Sequence, residues 1–315
     1  MILNKKFKFI AWGHSIEHGS THTHSYIHKS YKDAFCHLGY EAYCKPDIFD
    51  PNFDYSNTIF LTEWQEAYNL PIRDDCFYIL HNCDAEKFQD LIKNKQAIKL
   101  AVYTDDVLKT NALEKDKCIF YMNDERILFM PWATNLLPHE IETNKPTKVF
   151  NNTSNVINWV GTVGAGDGGN INELSPFIKA CEENNIKFNH GMMIPDDKAI
   201  QMIKSSYMAP TISGNWQKNV ANYIACRIFK NISYGQYGIT NNFRINYLFN
   251  NKLIYNPDEY QLFYDAKEKL PKITLSELHD LMDEVKNKHT FLNRIDTIMD
   301  FISQVNPELI GKMIV

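Results

Sequence analysis

Residues 227–242 read RIFKNISYGQYGITNN. The spacing of Ile224, Ile228 and Ile232 predicts a helix seated on a core, and Gly235 supplies the turn that ends it. A short apolar run follows and closes on Thr240, Asn241 and Asn242. Helix, glycine turn, strand and polar strand end make up the second half of a βαβ unit. Arg227 on such a helix can pair bidentately with a diphosphate, and the polar tips at the strand end suit a sugar. Read alone, a helical arginine such as Arg227 is more often a surface ion-pair partner, and Asn-Asn after a strand is also a plain turn signal. Both readings stay open at this point.

Upstream, VINWVGT (156–162) predicts a strand that runs into a loop with five glycines, GTVGAGDGGN, and then a helix over about 172–184. Glycines placed there let the backbone approach an anion and point N–H groups at it. The spacing matches neither GxGxxG nor a Walker loop. IKFNHG, YMAPTIS, YGITN and KLIYN read as further strands, with helices over 196–206 and 219–233 between them. The tail from Leu275 is helical, its apolar positions recurring at Leu278, Leu281, Met282, Val285, Ile295, Ile298 and Ile302.

The first half alternates in the same way. FKFIAWG (7–13), TIFLTEW (58–64), CFYILHN (76–82), IKLAVYTDD (98–106) and CIFYMND (118–124) read as strands, and 25–38 as an amphipathic helix ended by Gly39. Each apolar run meets polar residues at its end, as in parallel strands whose carboxyl ends open into a cleft. The segment 131–148 carries Pro131, Pro138 and Pro146 and reads as the crossing between two domains.

Histidines 14, 18, 22, 24, 28 and 37 crowd into the stretch after the first strand. Spacing by four would place His14, His18 and His22 on one helix face as zinc ligands, but Gly19 and Ser20 interrupt that helix and there is no HExxH. A loop after the first strand suits contacts to a polar acceptor, or a general base near neutral pH. Glu63, Asp84, Asp105 and Asp106 stand at strand ends as alternative bases or N-caps.

Composition sets the bounds. A chain of 315 residues, 44% hydrophobic and 23% charged, is globular and long enough for two cores. Its net charge of -5 offers no general attraction to nucleic acid or anionic membrane. No apolar run approaches the roughly 20 residues of a membrane span. Seven cysteines, an odd number without a CxxC spacing, read as reduced thiols and a cytoplasmic location.

The second half resembles the C-terminal domain of GT-B glycosyltransferases, most closely the spore-protein CgeB-like group and its glycosyl transferases group 1 relatives. The pieces that carry the resemblance are Arg227-Ile228-Phe229, Gly235, Ile239-Thr240-Asn241, His289-Thr290-Phe291 with Arg294, WVGT at 159–162 and MPWATN at 130–135. It spans about residues 128–302 and is architectural before that.

The resemblance implies an α/β chain of two Rossmann-like, doubly wound domains facing each other across a cleft. Residues 1–140 would bind the acceptor and 141–288 the nucleotide sugar, and helices over 289–315 would pack back toward the first domain. It implies transfer of a sugar, a hexose by expectation, from a nucleoside-diphosphate sugar to a hydroxyl. The donor would be a UDP-sugar, with GDP- and dTDP-sugars as alternatives. No metal or cofactor is required, and the acceptor is a glycan, protein or small molecule. No nucleic-acid signature is evident.

By position, Arg227 would meet the diphosphate, Gly161 and Thr162 would face the phosphates, and Tyr223 and Ile224 would lie near the base. Thr240, Asn241 and Asn242 would lie near the sugar or diphosphate. The family's Glu after Arg-x-Phe is Lys230 here, a second phosphate cation that leaves the ribose contact unassigned. His14, His18 and Asp105 are the candidate bases if the reaction inverts, whereas a retaining reaction needs none. The alternatives are a nucleotide-sugar epimerase, a non-catalytic sugar- or nucleotide-binding descendant of the fold, and a zinc hydrolase built on the histidines.

Overall fold

The computed structural model describes residues 7–13, 23–62, 67–81, 83, 86–102, 121–122, 127–149, 153–166, 169–192, 194–221, 223–308 and 311. They divide into two compact units. One is drawn from Met1–Val102, Asn111–Met130 and Phe291–Val315, the other chiefly from Pro131–Thr290.

In the first unit, β1 (Lys8–Trp12), α1 (Thr23–His37), β2 (Glu41–Lys45), β3 (Thr58–Thr62), β4 (Phe77–His81), α2 (Gln89–Lys93) and β5 (Ala97–Ala101) alternate along the chain. They are followed by β6 (Tyr121–Met122) and β7 (Ile127–Phe129). The sheet order is β2-β1-β3-β4-β5-β7-β6, parallel throughout except for the last pair. All five residues of β3 and of β4 are buried, which is why these strands read as unbroken apolar runs. Phe60 stacks on Tyr78 at 5.4 Å across the two strands, and on the face that α1 covers Phe9 stacks on Phe35 at 4.2 Å. Each such ring contributes about 1.5–3 kcal/mol by leaving water. The expected strands are present where they are described. The sequence reading missed β2, an edge strand whose Glu41 and Lys45 interrupt its apolar run.

In the second unit, α3 (Pro138–Asn144) occupies part of the segment expected to be a plain crossing, with Pro138 at its first turn. Next come β8 (Val156–Val160), α4 (Ile171–Glu183), β9 (Lys187–Gly191), α5 (Asp196–Lys204) and β10 (Pro210–Thr211). Of the helix expected over 219–233 only the second half is present, as α7 (Arg227–Ser233), and a separate short helix, α6 (Asn215–Asn219), precedes it. Between them the amides of Ala221 and Tyr223 bond back to the carbonyls of Trp216 and Gln217, winding the chain into turns. Arg227 therefore opens a helix instead of sitting inside one.

Then follow β11 (Ile239–Thr240), α8 (Phe243–Leu248), β12 (Ile254–Tyr255), α9 (Glu259–Lys269) and α10 (Leu275–Lys288). Strand β8 pairs with β9, and β10-β11-β12 form a second ladder, all parallel. Tyr207 N donates to Val156 O at 2.7 Å and Asn158 N to Ser206 Oγ at 3.0 Å, so the segment leading into β10 runs beside β8. The spatial order is then β9-β8-β10-β11-β12, the same 2-1-3-4-5 order as the first five strands of the first unit. The last helix, α11 (Phe291–Val305), belongs to the first unit, where Phe291 sits edge-on to Tyr31 at 4.7 Å.

Candidate functional site

Arg227 lies at the carboxyl end of β8. Its guanidinium carbon stands 3.7 Å from the centre of the Trp159 ring, and Nη1 donates to the carbonyl of Val160. Gly161 follows with φ +126°, and a Cβ there would come 2.6 Å from Arg227 Nη2. The position thus needs glycine twice over, for its backbone and for the arginine. Gly161 is held on both sides, since its N–H donates to Gly191 O at 2.9 Å and its carbonyl lies 2.8 Å from His190 Nε2.

Burial pulls the Arg227 guanidinium down to about 10, with Cys226 and Tyr223 opposing weakly. Among the described residues no carboxylate pairs with it. Burial likewise lowers Lys230, and the charge of Arg227 lowers it further, while Cys226 and Asp196 act the other way. The charge of Arg227 thus weighs on Lys230 one turn further along α7.

The loop after Gly161 closes on itself. Asn170 N and Ile171 N donate to Gly164 O at 2.9 and 3.0 Å, Gly169 N donates to Gly166 O at 3.0 Å, and Gly164 N reaches Asn170 Oδ1 at 3.3 Å. A side chain at Gly169 would overlap the Gly164 carbonyl. The N–H groups of Gly161, Gly164 and Gly169 are therefore spent inside the protein. Those of Thr162 and Val163 are the nearer candidates for an anion at Arg227.

The strand ends are braced by side chains. Asn241 Oδ1 accepts from Ser213 N at 2.8 Å, while Nδ2 donates to Ser213 O at 2.9 Å and to Glu259 Oε1 at 2.7 Å. The same Glu259 oxygen accepts from Lys218 Nζ at 2.7 Å. Asn242 Nδ2 donates to Tyr223 O at 3.1 Å, and its Oδ1 caps α8 by accepting from Arg244 N at 3.0 Å. Thr240 is buried, and its Oγ1 accepts from Asn242 N at 3.1 Å. Asn241 and Asn242 thus tie the end of β11 to Ser213, just past β10, and to Tyr223. Ile224 is buried, and Tyr223 is partly exposed beside the brace.

Of the residues singled out in the sequence, Gly161, Thr162, Tyr223, Ile224, Arg227, Lys230, Thr240, Asn241 and Asn242 all fall in the second unit, at or near the carboxyl ends of its strands. His14, His18, His22, Glu63, Asp84, Asp105 and Asp106 lie outside the described residues. His28 is buried in α1. The sequence reading passed over Trp159 and His190. The signal for Trp159 was an aromatic two residues ahead of the first glycine, while that for His190 needed the pairing of β9 with β8.

Among the described residues no group of His, Cys, Asp or Glu could hold a metal ion, and no helix is long and apolar enough to cross a membrane. A cavity of about 710 Å³ lies between α3 and α5 and is lined by none of these residues.

Three solved structures share the architecture. One is an alpha-glucosyltransferase in complex with UDP and a 13-mer DNA containing a HMU base. Its TM-score is 0.58 and its identity 10%, covering 94% of this chain and 99% of that one. A second, an alpha-glucosyltransferase (AGT) in complex with UDP, has TM-score 0.57 and identity 10% at the same coverage of 94% and 99%. The third, a glycosyltransferase from Rickettsia africae ESF-5, has TM-score 0.50 and identity 11%, covering 96% of this chain and 99% of that one. No family model and no curated protein matches the chain. The likeness to solved structures establishes the fold: α/β, of the GT-B class, with two Rossmann-like doubly wound units.

Proposed function

We propose that the protein is a glycosyltransferase that moves a sugar from a nucleoside-diphosphate sugar, a UDP-sugar by preference, to an acceptor hydroxyl. The observation that carries this reading is the Arg227 clamp: a partly buried guanidinium, stacked on Trp159 and unpaired with any described carboxylate, at the mouth of a glycine-rich strand end. The presence of UDP in two structures of the same fold supports uridine as the base.

Leaving-group departure puts negative charge on the distal phosphate. Arg227 is held against Trp159 and the Val160 carbonyl, so it stabilises that charge with little reorganisation, and Lys230 one turn on adds a second positive charge. They take the part that a metal ion plays in other transferases. The resident Lys230 shifts the emphasis of the site toward the diphosphate and away from the ribose. If the reaction inverts, His14, His18 or Asp105 serves as the base that takes the acceptor proton.

The DNA in one structure of this fold adds a nucleic-acid hydroxyl to the glycan, protein and small-molecule acceptors that the sequence suggested. Calorimetric titration with UDP tests the reading. Arg227→Ala should weaken binding by about 1.5–3 kcal/mol, roughly tenfold to a hundredfold, with the fold intact by circular dichroism. Failure of the unaltered protein to bind UDP, GDP or dTDP sinks the proposal.

A further inference from the structure

A second cavity opens in the same unit, and it contains neither Arg227 nor any residue of the glycine-rich loop. It holds about 340 Å³ and is lined by Lys218, Asn219, Asn241, Phe243, Arg244, Tyr255 and Pro257. These residues come from the segments that leave the carboxyl ends of β10, β11 and β12, the edge at which open parallel sheets take ligands.

Its chemistry is uneven in an informative way. Asn241 is fully spent on Ser213 and Glu259, so it forms the floor and offers no further donor. Lys218 gives one proton to Glu259 and keeps two. Asn219 gives one amide proton to Asn215 Oδ1 at 2.7 Å. No described carboxylate pairs with Arg244, whose five donors form a fork suited to a carboxylate or phosphate. Among these side chains donors outnumber acceptors, which favours an occupant rich in acceptors, and Arg244 favours one that is negatively charged.

The walls add a shape. Phe243 is 58% exposed although it lies against the cavity, and it meets Tyr255 edge-on at 6.2 Å and Tyr247 at 6.1 Å. An aromatic face kept in water at a cavity mouth suits a ring with one apolar C–H face and a polar rim. The Tyr255 hydroxyl and the Asn219 amide can exchange hydrogen bonds with such a rim.

We propose that this cavity is a sugar subsite that takes an anionic pyranose, with the ring on Phe243 and its carboxylate or phosphate on Arg244. The inference rests on the lining of this cavity and uses neither Arg227 nor the glycine-rich loop, although its floor, Asn241, is one of the residues that the resemblance sets near the donor.

Titration of the full chain with glucuronate, glucose 6-phosphate, glucose, inorganic phosphate and uridine tests it. Glucuronate or glucose 6-phosphate should bind at least tenfold more tightly than glucose, and the tighter of the two names the source of the charge. Arg244→Gln should bring both anions down to the level of glucose, and Phe243→Ala should weaken every sugar about tenfold. UDP affinity should be unchanged in both variants, because neither residue belongs to the Arg227 clamp. The proposal falls if no sugar binds or if inorganic phosphate or uridine competes as well as the anionic sugars. It falls equally if both variants bind as the unaltered protein does. Loss of UDP binding by the unaltered protein would overturn the transferase reading without touching this one.

Discussion

The two units share a strand order and hold it in different ways. In the first, β1, β3, β4 and β5 are five residues long and almost wholly buried, so backbone ladders and apolar side chains carry the sheet. In the second, β10, β11 and β12 are two residues each, and the work passes to buried polar side chains: Ser206, Ser213, Asn231, Ser233, Thr240, Asn241 and Asn242. Asn231 Nδ2, for example, reaches Ala209 O at 2.9 Å and stands in for a ladder bond. Short strands free the chain to turn early at the carboxyl edge, where Arg227 and the second cavity lie. The difference teaches that a sheet can give up ladder length for site surface if side-chain amides satisfy the backbone.

The largest test of this contrast is in the first unit. Phe60→Ala removes a fully buried ring between Trp12 and Tyr78 and should cost about 3–5 kcal/mol, seen as faster hydrogen exchange in the β3 and β4 amides. Asn241→Ala should cost about 2–3 kcal/mol in the second unit, because Ser213 N–H and C=O lose their partners together. A cost near that of a surface change, within about 0.5 kcal/mol, would show that the polar braces do not hold the short strands.

Gly161→Ala comes next. At φ +126° an alanine is strained, and its Cβ crowds Arg227, so a stability loss of about 1–2 kcal/mol should accompany weaker UDP binding. Unchanged affinity would separate the glycine from the clamp.

How far the sequence spoke follows the same division. Most strands of the first unit were legible because long buried runs leave a continuous apolar signal; the edge strand β2 and the three-residue β7 escaped. In the second unit YGITN and KLIYN gave away β11 and β12 through glycine and amide punctuation. The helix over 219–233 was overcalled because the spacing of Ile224, Ile228 and Ile232 is silent about the turns before it. Arg227 and Gly161 were found as separate signals. That they touch, with Trp159 beneath, depends on the pairing of elements some 66 residues apart in the chain, which no local pattern records. Phe243 and Arg244 gave no signal at all, since an aromatic and a cation at a helix start are common on any surface.

The smallest effect expected lies where α3 meets α10. Lys286 Nζ stands 2.6 Å from Glu142 and 2.5 Å from Asp283, and Lys145 reaches both acids as well. Hydrogen bonds from Lys286 and then Lys145 hold the Glu142 carboxyl below its ordinary 4.5, and the same two lysines lower Asp283 against the opposing effect of burial. A carboxylate whose folded pKa is depressed binds its proton more weakly than the unfolded chain does. Its contribution is therefore complete above the ordinary carboxylate range and is lost as pH falls through the lowered folded value. Glu142→Gln should flatten the fall in urea midpoint between about pH 6 and about pH 3, while leaving the midpoint near neutrality little changed because the pair is exposed. The short strands place no demand on this clamp. An Asn241→Ala protein should accordingly keep the same acid slope as the unaltered one, and a slope that vanished with Asn241 would tie the surface ion pairs to the braces at the strand ends.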